Sequence, residues 1–144
     1  LLPLIFYYGL FFNYLGTLDD LDFKFYISYL FVTLIGEFIK MLPCPKPLYQ
    51  ITRRPAEACN CDILSKGGKV VVGTPGFPSG HMMTVTFFCL FIMTRYNLSI
   101  YQKQLLYLLM PLTAWARIHK RCHNIFQILG GFSFVFLINK YLPI

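Results

Sequence analysis

The chain has 144 residues, of which 56% are hydrophobic, 18% aromatic and only 13% charged, and its mean hydropathy is +0.56. Soluble domains usually carry about twice that charge, and a chain this short has too much surface to bury so many apolar side chains, so the composition argues against a water-soluble fold. The net charge of +7 comes mostly from two short basic segments, which indicates an anionic ligand or anionic lipid and no nucleic-acid partner.

Five apolar segments predict membrane-spanning α-helices. The third and fourth have only 13 uncharged residues each, so we expect their helices to extend into the flanking polar residues. The predicted fold class is all-α: a polytopic transmembrane helical bundle that forms one membrane-embedded domain over residues 1–144. It has five helices, or six if a helix precedes Leu1. The five segments, in chain order, are residues 1–18, 23–42, 82–94, 104–116 and 124–143.

Residues 43–80 form the longest polar stretch, rich in proline, glycine and basic residues. Its first residues, "PCPKP", end the second helix because proline lacks the backbone N–H that a helix needs. If all five segments cross the membrane, this stretch and residues 117–123 lie on one side. The acidic turn at 19–22 and the loop at 95–103 then lie on the other. The polar motifs that could carry chemistry therefore share one surface.

The chain contains five cysteines, and their spacing fits none of the usual structural zinc sites. Cys89 lies in an apolar run and resembles a small hydrophobic residue. Cys44, Cys59 and Cys61 share the polar stretch, so either a disulfide among them or free thiols are compatible with the sequence.

Polar and basic residues on the shared surface form a set that suits a phosphate group. Arginine pairs bidentately with phosphoryl oxygens, and the Ser-Gly start of the third helix offers backbone N–H groups to an anion. Two histidines can divide a displacement, one attacking phosphorus and the other protonating the leaving oxygen. The cations stabilise the charge, so no metal is required. The set is Lys46, Arg53, Arg54, Ser79, Gly80, His81, Arg117, His119, Lys120, Arg121, His123 and Gln127.

Three stretches of this set follow one another in order: "KPLYQITRRP" at 46–55, "PSGH" at 78–81 and "ARIHKRCHNIFQ" at 116–127. They resemble the motifs of the type 2 phosphatidic acid phosphatase superfamily, the lipid phosphate phosphatases. Those motifs are Lys, six residues and Arg-Pro; Pro-Ser-Gly-His; and Ser-Arg, five residues, His, three residues and Asp. The second motif matches in full, the third in Arg117, His123 and both gaps, and the first loosely.

The resemblance implies a membrane phosphatase that hydrolyses a lipid phosphate or polyprenyl diphosphate without metal or cofactor. In it His123 is the nucleophile that forms a phospho-histidine, and His81 is the general acid that protonates the leaving group. Gln127 occupies the position of the family's Asp, four residues after His123 and so on the same helical face. The implied phosphate-binding residues are Lys46, Arg54, Ser79, Gly80 and Arg117.

Three departures from the family motifs bear on activity. Ala116 replaces the usual Ser, and Lys46 is one residue too far from Arg54. Gln127 replaces Asp, so His123 loses a negatively charged partner, although the amide oxygen can still accept from the ring N–H. The branch that resembles dolichyl-diphosphate phosphatases has a similar Arg, His and Gln arrangement, which favours a polyprenyl diphosphate substrate.

A different class of function is an alternative: a catalytically inactive membrane scaffold or lipid-binding protein that retains the same fold. Simpler explanations also exist for single motifs. Ser79 is a favoured helix N-cap, and Lys120 and Arg121 are typical of a basic patch beside anionic lipid. Gln127 could hydrogen-bond a neighbouring helix, and His119 has no motif role.

The side of the membrane on which the motifs lie has two interpretations. The excess of lysine and arginine on the motif side favours the cytoplasm. The family resemblance implies the lumenal or outer side of an endomembrane or the plasma membrane, with the active site at the membrane–water interface. Several of the cations are implied ligands, and leaving them out removes most of the charge bias.

Overall fold

The computed structural model describes residues 2–59, 61 and 71–141, and these residues form a bundle of helices. The predicted all-α class is confirmed for this part of the chain. Residues 62–70 of the polar stretch and the last residues of the fifth predicted segment lie outside the described residues. The helices are α1 (Leu2–Thr17), α2 (Asp20–Met41), a 3-10 helix (Lys46–Leu48), α3 (Tyr49–Thr52), α4 (Gly80–Arg95), α5 (Ile100–His119) and α6 (Ile125–Tyr141).

The third and fourth apolar segments extend into their flanking motifs, as expected. The helix α4 already begins at Gly80, and α5 continues to His119. The acidic turn is shorter than predicted, because Asp20 and Asp22 lie in the first turn of α2. Asp19 is the N-cap and accepts from the backbone N–H of Leu21 at 2.8 Å. Carboxylates are favourable there because they face the positive end of the helix dipole.

The helix α4 lies at the centre of the bundle and contacts α1, α2, α5 and α6. Its residues are apolar on nearly all sides, which is the pattern of a fully buried helix. On one side Met83 and Phe87 pack against Phe25 and Tyr29 of α2. Because α4 is central, its N-terminus lies against the start of α6, where the backbone N–H of Ser79 donates to the carbonyl of Gln127.

An ion pair joins the turn between α1 and α2 to the far end of α4. Arg95 Nε donates to Asp22 Oδ1 at 2.9 Å, and the Asp22 side chain is 1% exposed. Thr17 Oγ1 donates to the same carboxylate at 2.7 Å. The acidic turn and the end of α4 therefore lie at one end of the bundle, as the predicted topology requires, opposite to the polar motifs.

The lengths and hydropathies of the helices bear on the predicted membrane crossings. Among the helices that the structure describes, none is both long enough and apolar enough to cross a membrane. The five or six predicted crossings therefore stay predictions.

Candidate active site

His123 lies in the short connection between α5 and α6, and its side chain is almost fully buried. Its ring Nδ1 forms a 2.9 Å hydrogen bond with Oε1 of Gln127, the third residue of α6. Gln127 is itself 0% exposed. The spacing of four residues thus places the amide beside the ring, as the third motif predicts.

The amide of Gln127 is held in one orientation by the first motif. Its Nε2 donates to the backbone carbonyl of Arg53 at 2.7 Å, so its oxygen points towards His123. An amide oxygen can only accept, and therefore Nδ1 of His123 carries the proton. The other ring nitrogen, Nε2, then presents a lone pair, which is the form that a nucleophile needs.

Asn124 joins the first and third motifs and was not singled out from the sequence. Its Oδ1 accepts from the backbone N–H of Gln127 at 2.9 Å, and its own N–H donates to Gln127 Oε1 at 3.3 Å. This is the reciprocal pattern of a capping box. The Nδ2 of Asn124 donates to the carbonyls of Gln50 and Ile51. The signal that could have revealed it is Asn-x-x-Gln at the start of an apolar run.

The "PSGH" stretch lies directly on α6. The backbone N–H of Ser79 donates to the carbonyl of Gln127 at 3.0 Å. A Cβ on Gly131 would lie 2.6 Å from the carbonyl oxygen of Ser79, and a Cβ on Gly76 would lie 2.8 Å from Gln127 Oε1. Only glycine permits these approaches, so the second motif is positioned by Gly131 of α6, which sequence reasoning passed over.

Ser79 caps α4 without a side-chain hydrogen bond. Its side chain is 0% exposed, and its hydroxyl has no hydrogen-bond partner among the described residues. Gly80 and His81 form the first turn of α4. The backbone N–H groups of a helix's first turn have no partner within the helix and favour an anion. A buried hydroxyl beside them adds a donor for the same ligand.

The electrostatics around His123 keep its ring neutral. The pKa of His123 is lowered to about 3, first by burial, then by the positive charges of Arg54 and Arg117, and to a smaller extent by His81. The hydrogen bond with Gln127 acts in the opposite direction without offsetting these effects. Charges shift a pKa in this way only at short range, so Arg54, Arg117 and His81 lie in the neighbourhood of His123. At neutral pH the ring is therefore uncharged and lies within the influence of two cations.

A disulfide joins Cys61 to Cys122, the residue that precedes His123. The Cα atoms are 5.4 Å apart, and Arg117 Nη2 donates to the carbonyl of Cys61 at 2.9 Å. Of the two alternatives that the sequence left open for Cys44, Cys59 and Cys61, free thiols hold for Cys44 and Cys59, and the partner of Cys61 lies outside that set. The partner comes from the α5–α6 turn because the bundle brings that turn against the polar stretch.

Not every residue of the predicted phosphate-binding set joins the cluster. Lys46 is exposed at the start of the 3-10 helix, and none of the hydrogen bonds or ion pairs described links it to His123 or the arginines. His119 is exposed and stacks on Trp115, with ring centroids 5.0 Å apart. A different lysine approaches the site: Nζ of Lys40 would lie 3.6 Å from a Cβ on Gly80.

Two cavities lie beside this cluster and share Arg53. The larger, of about 420 Å³, is lined by Arg54 and Asn124 among others. The smaller, of about 250 Å³, has a mostly apolar lining with Lys40 and Arg53 as its charged members. Cationic groups therefore stand beside apolar space on the motif side of the bundle.

Acidic side chains contribute little to the cluster. Glu57 forms an ion pair with Arg121 at the surface, and Asp62 lies outside the described residues. Within the described ranges, no three His, Cys, Asp or Glu side chains gather into a set that could hold a metal ion. The charges that act on His123 are positive and come from Arg54 and Arg117, with a smaller part from His81.

Comparison with known proteins agrees with this arrangement. A family model described as the PAP2 superfamily matches residues 24–142. The matched range covers well over half of the chain and includes all three motifs. No curated protein and no solved structure matches the chain. The chain therefore belongs to the PAP2 superfamily, whose members are phosphatases.

Proposed function

We propose that this protein is an integral membrane phosphatase that hydrolyses a lipid phosphate or polyprenyl diphosphate through a phospho-histidine, without a metal ion. The observation that carries the proposal is the pairing of His123 with Gln127. A buried, neutral imidazole has its Nδ1–H held at 2.9 Å and its Nε2 available, beside two arginines. That combination provides a nucleophile together with cations for the phosphoryl oxygens.

In the proposed reaction, Nε2 of His123 attacks phosphorus, and the bond between phosphorus and the leaving oxygen breaks. His81 donates a proton to that oxygen. Water then attacks the phospho-histidine, His81 takes a proton from it, and inorganic phosphate leaves with His123 regenerated. Arg54 and Arg117 hold the non-bridging oxygens throughout. Ser79 and the backbone N–H of Gly80 complete the phosphate site.

Gln127 supports the ring without a negative charge. When His123 forms a bond through Nε2, positive charge develops on the imidazole, and the amide oxygen stabilises it less than a carboxylate would. The inactive-scaffold alternative drew on this substitution, but the amide has partners at both ends and orients the ring. We therefore favour an active enzyme, and we keep a polyprenyl diphosphate as the substrate proposal.

The membrane location is proposed from exposed apolar surface. On α5 alone, Leu105 is 69% exposed, Leu112 59% and Trp115 63%. Contiguous apolar surface of this kind marks contact with lipid or another apolar partner. We propose that residues 1–144 form one membrane-embedded phosphatase domain with its site at the membrane–water interface. The disulfide at Cys61 and Cys122 supports the lumenal or outer side, because disulfides persist in oxidising compartments.

The proposal is tested by phosphate release from the purified chain in detergent with a metal chelator present. The substrates are phosphatidic acid, a polyprenyl monophosphate and a polyprenyl diphosphate. Phosphate release that His123→Asn abolishes supports the enzyme, since Asn can still hydrogen-bond Gln127 but cannot attack phosphorus. Absence of turnover on every substrate, together with no binding of vanadate, would favour the scaffold.

A further inference from the structure

Lys40 is the last basic residue of α2, and its side chain reaches α4. Its Nζ lies 3.6 Å from the position that a Cβ on Gly80 would take, and Gly80 is the first residue of α4. The Lys40 side chain is only 16% exposed. The ammonium group is therefore held against the N-terminal turn of the central helix.

This position is electrostatically unfavourable in the absence of a ligand. The N-terminus of a helix carries a partial positive charge, and a cation beside it is repelled. Arg54 and Arg117 add further positive charge near His123. Lys40 has Glu37 as its ion-pair partner, but that carboxylate is 60% exposed. Exposed pairs of this kind contribute little to stability, so the contact does not explain why a lysine stands at this place.

A second feature of the same turn indicates an anion. The hydroxyl of Ser79 is fully buried at the N-cap of α4 and has no hydrogen-bond partner among the described residues. A bound oxyanion would accept from this hydroxyl and from the backbone N–H of Gly80, and it would neutralise the ammonium of Lys40. One ligand thus accounts for both observations.

We infer that Lys40 is a phosphate-binding residue of this site and that its ammonium group contacts a non-bridging oxygen of the substrate. The inference rests on the proposed function and names a cation that the motif spacing does not. The spacing of the first motif assigns this role to Lys46, which is exposed. Lys40 also lines the 250 Å³ cavity, whose other residues are mostly apolar, such as Leu42 and Phe77. The apolar part of a lipid phosphate can therefore lie beside the cation that binds its headgroup.

The test compares Lys40→Gln with Lys46→Gln and Lys120→Gln in the full chain in detergent. Each variant removes one positive charge, and Lys120 is an exposed lysine at the same end of the bundle. The readout is inhibition of metal-free phosphate release by orthovanadate. We expect Lys40→Gln to weaken vanadate inhibition by about 10- to 100-fold, which is typical for loss of a charged hydrogen bond. Lys120→Gln should change it by less than about 2-fold.

Two further variants keep the inference testable if Lys40→Gln folds poorly. Lys40→Arg retains the positive charge and should bind vanadate within about 5-fold of wild type. Glu37→Gln removes the competing carboxylate and should tighten vanadate binding; weaker binding in that variant would count against the inference.

The outcomes separate this inference from the proposed function. If the wild-type chain neither releases phosphate nor binds vanadate, the proposed function fails and the inference with it. If the wild type is active and Lys40→Gln binds vanadate as tightly as the wild type does, the phosphate-binding role of Lys40 is excluded while the proposed function stands. A larger loss in Lys46→Gln than in Lys40→Gln would also overturn the inference and restore the assignment from motif spacing.

Discussion

Gln127 holds the ring of His123 from one side and the backbone of Arg53 from the other. Its Oε1 lies 2.9 Å from Nδ1 of His123, and its Nε2 lies 2.7 Å from the carbonyl oxygen of Arg53. One fully buried amide thus connects the first motif to the third. A carboxylate could not make both contacts, because it has no N–H to donate to a carbonyl. This relationship explains why Gln is compatible with the site where the family usually has Asp.

Gln127→Glu is therefore expected to lower both stability and kcat, although it introduces the acidic group of the family motif. A carboxylate oxygen would face the carbonyl of Arg53, leaving a buried acceptor without a donor, which costs about 1–3 kcal/mol. Repulsion from that carbonyl should shift the carboxylate and, with it, the ring of His123. We expect this shift to lower kcat by about 10-fold or more. Thermal unfolding and metal-free phosphate release measure the two effects.

Gln102→Glu is the matched control for that substitution. Gln102 is also the third residue of a helix with a capping box, at the start of α5, but it is exposed. Glu serves that position as well as Gln does, so stability and kcat should stay near wild type. Equal behaviour of the two variants would show that the buried amide has no special role.

The lowered pKa of His123 makes stability depend on pH. The unfolded chain protonates this histidine near pH 6.5, whereas the folded chain does so only near pH 3. The unfolded state therefore binds more protons as the pH falls through this window, and stability is lost. We expect His123 to contribute a loss of about 3 kcal/mol between pH 7.5 and pH 4.

Denaturation at several pH values measures this contribution by comparison of wild type with His123→Asn. The variant should have a flatter profile over that window. His119→Asn is the control, because its ring is exposed on α5, and its profile should follow that of wild type. Parallel profiles for wild type and His123→Asn would contradict the buried, neutral state of the His123 ring.

The disulfide next to His123, the proposed nucleophile, should support catalysis as well as stability. Cys122 precedes His123, and the carbonyl of Cys61 accepts from Arg117. Reduction, or the double variant Cys61→Ser with Cys122→Ser, frees the residue before His123 and the segment whose carbonyl holds Arg117. It should therefore lower kcat by about 10-fold. It should also reduce stability by about 2–4 kcal/mol, given a sequence separation of 61 residues.

Cys59→Ser serves as the control, since Cys59 is an exposed free thiol two residues from the bridge. It should keep wild-type activity in oxidising buffer and lose activity on reduction as wild type does. An unchanged kcat in the fully reduced wild-type protein would show that the disulfide does not position His123.

Gly131→Ala tests the close approach of the second motif to α6. A Cβ there would lie 2.6 Å from the carbonyl oxygen of Ser79, so the loop must shift. We expect a loss of stability of about 1–3 kcal/mol and a lower kcat. Gly9→Ala in α1 is the comparison, because nothing lies within 4 Å of the added atom, and it should stabilise by up to about 1 kcal/mol. Equal effects would contradict the packing of Ser79 on α6.

The sequence predicted the helices from the length of the apolar segments. It predicted that the polar motifs share one end of the bundle because successive helices alternate in direction. Spacing also predicted that Gln127 lies beside His123. The contact forms, but His123 lies in the connection before α6 and does not share a helical face with Gln127. Contacts between distant segments were beyond such reasoning. The partner of Cys61 lies 61 residues away, and Lys40 meets Gly80 only because α2 packs against α4. No local pattern encodes those distances.

The role of His123 as the nucleophile is tested most directly by trapping the phosphoenzyme. The purified chain is mixed with a phosphorus-labelled lipid phosphate or diphosphate, quenched in alkali within one turnover, and digested. We expect one labelled peptide that contains His123, stable to alkali and labile to acid, and absent from His123→Asn. Rapid phosphate release with no label on the chain, or with the label on another residue, would contradict the mechanism.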